Sequence, residues 1–252
     1  MNEFIENFSL KKYLPMQGSG YLSFSKKERS KFRFFESPII VLIVVSTSIT
    51  LFTGCGITQP IRPIEEGTTE IVTSFGGPII PVGSIAFPVP YLNVGALYGY
   101  NKNLTVFGNY HVTALLFKDI GFDAGFSTRL LPEKGIRPEI TFNGRGYFFW
   151  DAFRGKTTRL YPMGTLTASY RVDEQSLFYF GTDNLYQMTT SDLFVSSFIG
   201  YSFPVGETIV MQFESKWIGM NRDTQHGIFE GVTSVAGNGN VGLFFGLQYS
   251  LK

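Results

Sequence analysis

From residue 91 to the C-terminus, apolar side chains recur at every second position, segment after segment, and small polar residues fill the places between. A repeat of two is the period of a β-strand, whose successive side chains point to opposite faces. The clearest case is 121–130, where Phe122, Ala124, Phe126, Thr128 and Leu130 share one face and Gly121, Asp123, Gly125, Ser127 and Arg129 share the other. In 240–251, Val241, Leu243, Phe245, Leu247 and Tyr249 oppose Gly242, Gly246, Gln248 and Ser250. The same reading predicts strands over 68–74, 91–100, 104–110, 139–149, 164–172, 176–182, 192–203 and 207–216, ten in all.

Strands with one apolar face need a solvent for that face. A soluble sandwich turns it inward and gives water the charged face, which then carries many Lys and Glu. Here only 16% of residues are charged, against about 25% in soluble domains, while aromatics also reach 16%. The polar faces are instead Gly, Ser, Thr and Asn, which suits a narrow interior with the apolar face toward lipid. Connection lengths agree with that arrangement. Short links at 101–103, 131–138, 173–175 and 204–206 alternate with long ones at 75–90, 111–120, 150–163, 183–191 and 217–239. The expected fold is all-β: a membrane-spanning, up-and-down antiparallel β-barrel of about ten strands, with eight and twelve as the neighbouring counts. A soluble β-sandwich or lipocalin-like barrel on a lipid anchor is the competing architecture.

The interior of such a barrel takes the isolated charges Asp123, Arg129, Glu139, Arg145, Arg171 and Glu214 as lumen-polar residues. Both signs are present, so they are expected to pair across the interior and fill it. A ten-stranded barrel is only slightly wider than an eight-stranded one, whose side chains fill the lumen. Tyr91, Tyr110, Trp150, Tyr161 and Trp217, near strand ends, suit aromatic girdles at the membrane interfaces.

The N-terminal part follows another logic. Lys26, Lys27, Arg29, Lys31 and Arg33 precede a stretch with no charge between Glu36 and Arg62, most apolar from Ile39 to Val45. A basic segment followed by an apolar one is the order of an export signal; an ordinary signal peptide and an uncleaved anchor are the other readings of the same stretch. It ends in Leu51-Phe52-Thr53-Gly54-Cys55, which holds the chain's only cysteine. This resembles the lipobox of bacterial lipoproteins, and the resemblance implies a lipidated, acyl-anchored Cys55. The division that follows is 1–54 as export segment, 55–67 as lipidated tether and 68–252 as barrel. Residues 68–252 resemble the small bacterial outer-membrane β-barrels, by pattern. That resemblance implies a bacterial outer-membrane location, with the lipid bilayer and the barrel-assembly machinery as partners. The final strand, ending in Tyr249 and Leu251, approximates the terminal signal of such proteins.

Several function classes drop out. A net charge of +1 argues against nucleic-acid binding. One cysteine allows neither an intramolecular disulfide nor a zinc cluster built on cysteines. His111 with Asp119, and His226 with Asp223, read as ordinary loop histidines rather than metal or catalytic pairs. No catalytic residue, metal or cofactor is expected, and no enzyme activity. The expected role is structural, adhesive or surface-interacting, with 217–239 as contact surface for an unnamed surface or periplasmic protein. A narrow channel for small solutes or hydrophobic ligands is the alternative. A lipid-anchored soluble binding barrel and a lipid-modifying enzyme rank below both.

Overall fold

The computed structural model describes residues 57–82, 85–88, 91–151, 158–188, 190–223, 235 and 237–251. The strands in chain order are β1 (Thr69–Val82), β2 (Ile85–Pro88), β3 (Asn93–Asn101), β4 (Leu104–His111), β5 (Asp119–Leu131), β6 (Glu139–Asp151), β7 (Thr158–Arg171), β8 (Leu177–Gln187), β9 (Asp192–Pro204), β10 (Ile209–Asp223) and β11 (Asn238–Leu251). From β3 onward each strand pairs antiparallel with the next, and β1 pairs with both β3 and β11. The result is a closed antiparallel barrel of ten strands, with β2 standing outside the ring as a hairpin partner of β1. Closure is what lipid demands, because an open edge would leave a row of backbone groups without partners.

All ten strands expected from the periodicity are present, and the four short links lie at one end with the start of β1 and the end of β11. The hairpin of β1 with β2, within the expected long link 75–90, is an addition. Its pairing begins at Ile79, after β1 has left β3 at Ser74. Gly76, two residues on, has φ +135, and a Cβ there would stand 2.1 Å from the Leu243 carbonyl oxygen, so only glycine fits the bend.

The two faces differ as lipid and lumen require. Val106, Phe122, Phe126, Leu166, Ile199 and Leu243 are exposed on the outside. Their neighbours Thr105, Asp123, Ser127, Thr165 and Thr167 are buried inside. Around part of the exterior the aromatic rings form a ladder: Phe75 stacks on Phe245 at 4.8 Å, Phe245 meets Phe213 edge-on at 5.0 Å, and Phe213 stacks on Phe203 at 5.8 Å. A continuous apolar exterior of this size belongs in a bilayer. Unboiled protein is therefore expected to migrate differently from boiled protein in detergent gels. Identical migration, with solubility in the absence of detergent, would contradict the membrane barrel.

Candidate functional site: the lumen and the segment inside it

Residues 57–64, expected as part of a tether below the barrel, lie inside it, and Glu65 and Glu66 are exposed at its mouth. Ile57, Thr58, Gln59, Pro60 and Ile61 are buried. Their partners are the inward side chains of several strands. The path starts at the short-link mouth, where Gly67 donates its N–H to the Gly99 carbonyl at 2.8 Å. The Glu65 carbonyl then passes so close to Gly99 that a Cβ there would lie 2.0 Å from it. Ile64 donates its N–H to Thr105 Oγ1 at 2.9 Å, and its side chain packs on the cluster of Val72, Leu97 and Phe107. Ile61 packs with Tyr179 and Phe198. Farther in, Thr165 donates to Gln59 Oε1 at 3.4 Å and Arg145 donates to Thr58 Oγ1 at 3.3 Å. The small inner face houses a peptide. Its two prolines punctuate an extended strip whose Ile61 and Ile64 fill wall pockets.

Between the two isoleucines, Arg62 forms a clasp at the mouth. Its Nε donates to Ser169 Oγ at 2.8 Å and its Nη2 to the Ser169 carbonyl at 3.0 Å. Glu133 lies 3.0 Å from Nη2 and Glu139 lies 3.8 Å from Nη1. Arg129, on the neighbouring strand, meets Glu139 at 3.0 Å. Partial burial raises the Glu133 carboxyl, but the Arg171 backbone N–H and the Arg62 guanidinium outweigh it and hold Glu133 below the ordinary carboxylate range. A depressed folded-state value means that this carboxylate contributes its full hold at neutral pH and loses it as pH falls through the lowered value. The part of the clasp made by Glu133 is therefore expected to loosen only below the ordinary carboxylate range. Backbone hydrogen exchange at Ile64, followed across a pH series and corrected for intrinsic rates, checks this.

Above the clasp two polar clusters line opposite parts of the wall. On β4, β5 and β6, Asp123 accepts from Asn109 Nδ2 at 2.7 Å, lies 2.9 Å from His111 Nε2 and 3.5 Å from Arg145 Nε. Tyr91 Oη is 2.9 Å from His111 Nδ1, which ends a Tyr–His–Asp chain. On β8 and β10, Lys216 Nζ sits 2.5 Å from Asp183 Oδ2 and 3.1 Å from Glu214 Oε1. The same ammonium lies 5.2 Å from the Phe198 ring centre and 5.4 Å from that of Phe244.

Of the six lumen-polar residues expected from sequence, Asp123, Glu139, Arg145 and Glu214 are buried inside. Arg129 is half-buried at the mouth, and Arg171 is exposed there, lining the mouth cavity of about 680 Å³ with Arg62 and Glu133. Charges of both signs do pair: Arg145 with Asp123 and Arg129 with Glu139 between adjacent strands, Glu214 with Lys216 on one strand, and Glu139 also with Arg62 of the segment that lies between the walls. Two other readings change. His111 pairs with Asp123 inside the lumen, whereas Asp119 pairs with Arg159 at 2.9 Å. Tyr91 turns toward His111 and Tyr161 packs near Phe149 at 6.3 Å, so neither belongs to a lipid-facing girdle.

The sequence reading missed Arg62, Asp183 and Lys216, and set His111 aside as a loop histidine. Lys216 shares the parity of Glu214, so the alternation already placed it inward. Asp183 lies two residues beyond Gly181 on β8 in the same way. Cys55 and His226 lie outside the described residues. Among the described residues no group of His, Cys, Asp and Glu is arranged to hold a metal ion.

No family model and no curated protein matches the chain. Solved structures with similar folds do exist. The anion-selective porin from Comamonas acidovorans is 12% identical, with 69% of this chain and 52% of the porin covered and a TM-score of 0.33. This chain thus spans about half the porin's length. The translocator domain of the autotransporter NalP from Neisseria meningitidis is 10% identical, covering 84% and 94%, with a TM-score of 0.42. An outer membrane channel from Pseudomonas putida F1 is 10% identical, covering 77% and 100%, with a TM-score of 0.40. The barrel resembles outer-membrane barrels of different activities.

Proposed function

We propose that this protein is a closed barrel of the bacterial outer membrane that acts through its external surface, in a structural, adhesive or surface-interacting role, and not as a standing pore or an enzyme. The observation behind this reading is the occupied lumen. Peptide held by an arginine clasp, two isoleucine pockets and two wall clusters occupies the space that solute would cross. The contact surface then falls to the long links, of which 217–239 is the largest. Its beginning continues β10 to Asp223 and its end opens β11 at Asn238. Assembly machinery and the lipid bilayer are the partners the barrel itself calls for.

Wild-type protein in planar bilayers should give no steady conductance at neutral pH. Deleting 224–234 should abolish surface binding by whole cells while leaving heat-modifiable migration intact. Steady, ion-selective current through the wild-type protein would favour the channel reading instead.

A lipid anchor at Cys55 belongs to this reading in one form only. A chain seated at Ile57 leaves two residues, about 7 Å at full extension, to reach a leaflet from inside the barrel. Acylation of Cys55 therefore competes with seating of the segment. Mass spectrometry of the mature N-terminal peptide decides the anchor: a diacylglyceryl mass at Cys55 supports it, and an unmodified Cys55 inside a longer peptide overturns it.

A further inference from the structure

The segment 57–66 is held in a way that allows it to leave. Barrel closure does not depend on it, because the pairing of β1 with β11 and with β3 begins at Thr69, after the segment has ended. Its hold on the wall is mainly through side chains: Ile61 and Ile64 in their pockets, Arg62 in its clasp, and the Ile64 N–H on Thr105. The wall it faces is already a hydrophilic lining. Thr105, Ser127, Thr141, Asn143, Thr165, Thr167 and Ser169 are buried on the inner face. Among the described residues, Ser127 Oγ, Thr141 Oγ1 and both polar side-chain atoms of Asn143 have no hydrogen-bond partner. Buried polar groups ordinarily have partners, so an inner face of this kind is built for contact with water once the way is clear.

The fixed charge of that lining has a sign. At mid-height Asp123, Asp183 and Glu214 stand with Arg145, Lys216 and the imidazole of His111, close to balance; the acid excess is at the mouth, where Glu133, Glu139, Asp173 and Glu174 face Arg129 and Arg171 besides Arg62. Withdrawing the segment also takes Arg62 away from Glu133 and Glu139 at the mouth.

We propose that residues 57–66 are a reversible plug, seated by the pockets for Ile61 and Ile64 and by the Arg62 clasp, over a pore that passes small inorganic cations. This rests on the reading of the resting barrel as closed. It adds a second, conducting state and names what that state carries.

The test uses the full chain lacking only 57–66, with retained heat-modifiable migration as the check on folding. In a KCl gradient across a planar bilayer this variant gives discrete current steps, with the reversal potential displaced toward that of K⁺. A synthetic peptide of sequence ITQPIRPIEE, added on the side of the short links, blocks the current. The same peptide with glutamate at the arginine position blocks about tenfold more weakly or worse, as expected when hydrogen bonds to a charged group are lost. Full-length Arg62→Glu, which keeps every strand and sets a third carboxylate beside Glu133 and Glu139, is the second variant and shows intermittent openings of the same selectivity.

A folded deletion variant that is silent together with a silent Arg62→Glu overturns the plug. Anion selectivity overturns the assignment of cations, and current indifferent to the peptide overturns reversible seating. Steady current through wild-type protein overturns the closed-barrel reading separately, whatever the variants do.

Discussion

Replacing Gly99 with valine is expected to expel the N-terminal segment from a barrel that otherwise stays closed. Even a single Cβ at this position would lie 2.0 Å from the Glu65 carbonyl oxygen and 2.8 Å from its carbon, both backbone atoms that cannot turn aside as a side chain can. The valine methyl groups add to that clash. Gly99 has an extended backbone, so valine strains nothing in β3 itself and suits a strand. The conflict falls on the weaker party, a strip seated mostly by side chains, and not on the ladder. Backbone hydrogen exchange at Ile64, whose N–H is held by Thr105 Oγ1 at 2.9 Å, reads the outcome. The wild-type amide should be protected and the Gly99→Val amide should exchange freely, with the strand amides protected in both. Equal protection in the two proteins would mean that the segment re-routes within the lumen and that Gly99 is not its gatepost.

Lys216→Met is expected to produce the largest single loss of stability. The ammonium holds two buried carboxylates at once, Asp183 at 2.5 Å and Glu214 at 3.1 Å, with the rings of Phe198 and Phe244 close by. Methionine fills much the same volume and leaves both acids without their cation. Breaking a buried pair from one side costs about 3–5 kcal/mol, because the remaining charge is left without compensation. The loss is seen as a lower midpoint in denaturant unfolding from lipid vesicles. Adding Asp183→Asn and Glu214→Gln to Lys216→Met removes the stranded charges and should restore most of the midpoint. A triple variant as weak as the single one would place the loss in packing around Phe198 and Phe244 rather than in charge.

The wall of this protein was legible in its sequence and its contents were not, for physical reasons. Lipid outside and a narrow interior impose a strict period of two, so segments such as 121–130 declare both their strand and their inward face. That pressure ends where strands rise past the bilayer. The sequence reading therefore stopped short on β7, which begins at Thr158, on β8, which runs to Gln187, and on β10, which runs to Asp223. Inward charges were found where they sit mid-strand, as at Asp123 and Arg145, and missed at such margins, as at Asp183. The plug escaped because an extended peptide lying against a wall carries no period of its own. Its two prolines and two glutamates are those of a linker. The one local sign was three isoleucines, Ile57, Ile61 and Ile64, in a stretch otherwise read as solvated.

The seam between β1 and β11 has a consequence for the pace at which the barrel forms. There Glu70 accepts hydrogen bonds from Gln248 and from Ser250 Oγ, the latter at 2.8 Å between residues 180 positions apart. Every other pairing around the ring joins strands that are neighbours or near-neighbours in the chain, and can form while the rest is still loose. The seam alone has to gather the two ends, and contacts of long sequence separation are gathered slowly because the entropy of the loop is lost before the contact is gained. Until it forms, two bare strand edges face a medium with nothing to bond them. The length of that exposed interval, more than the stability of the finished ring, sets how much this chain depends on a helper that can hold both edges at once.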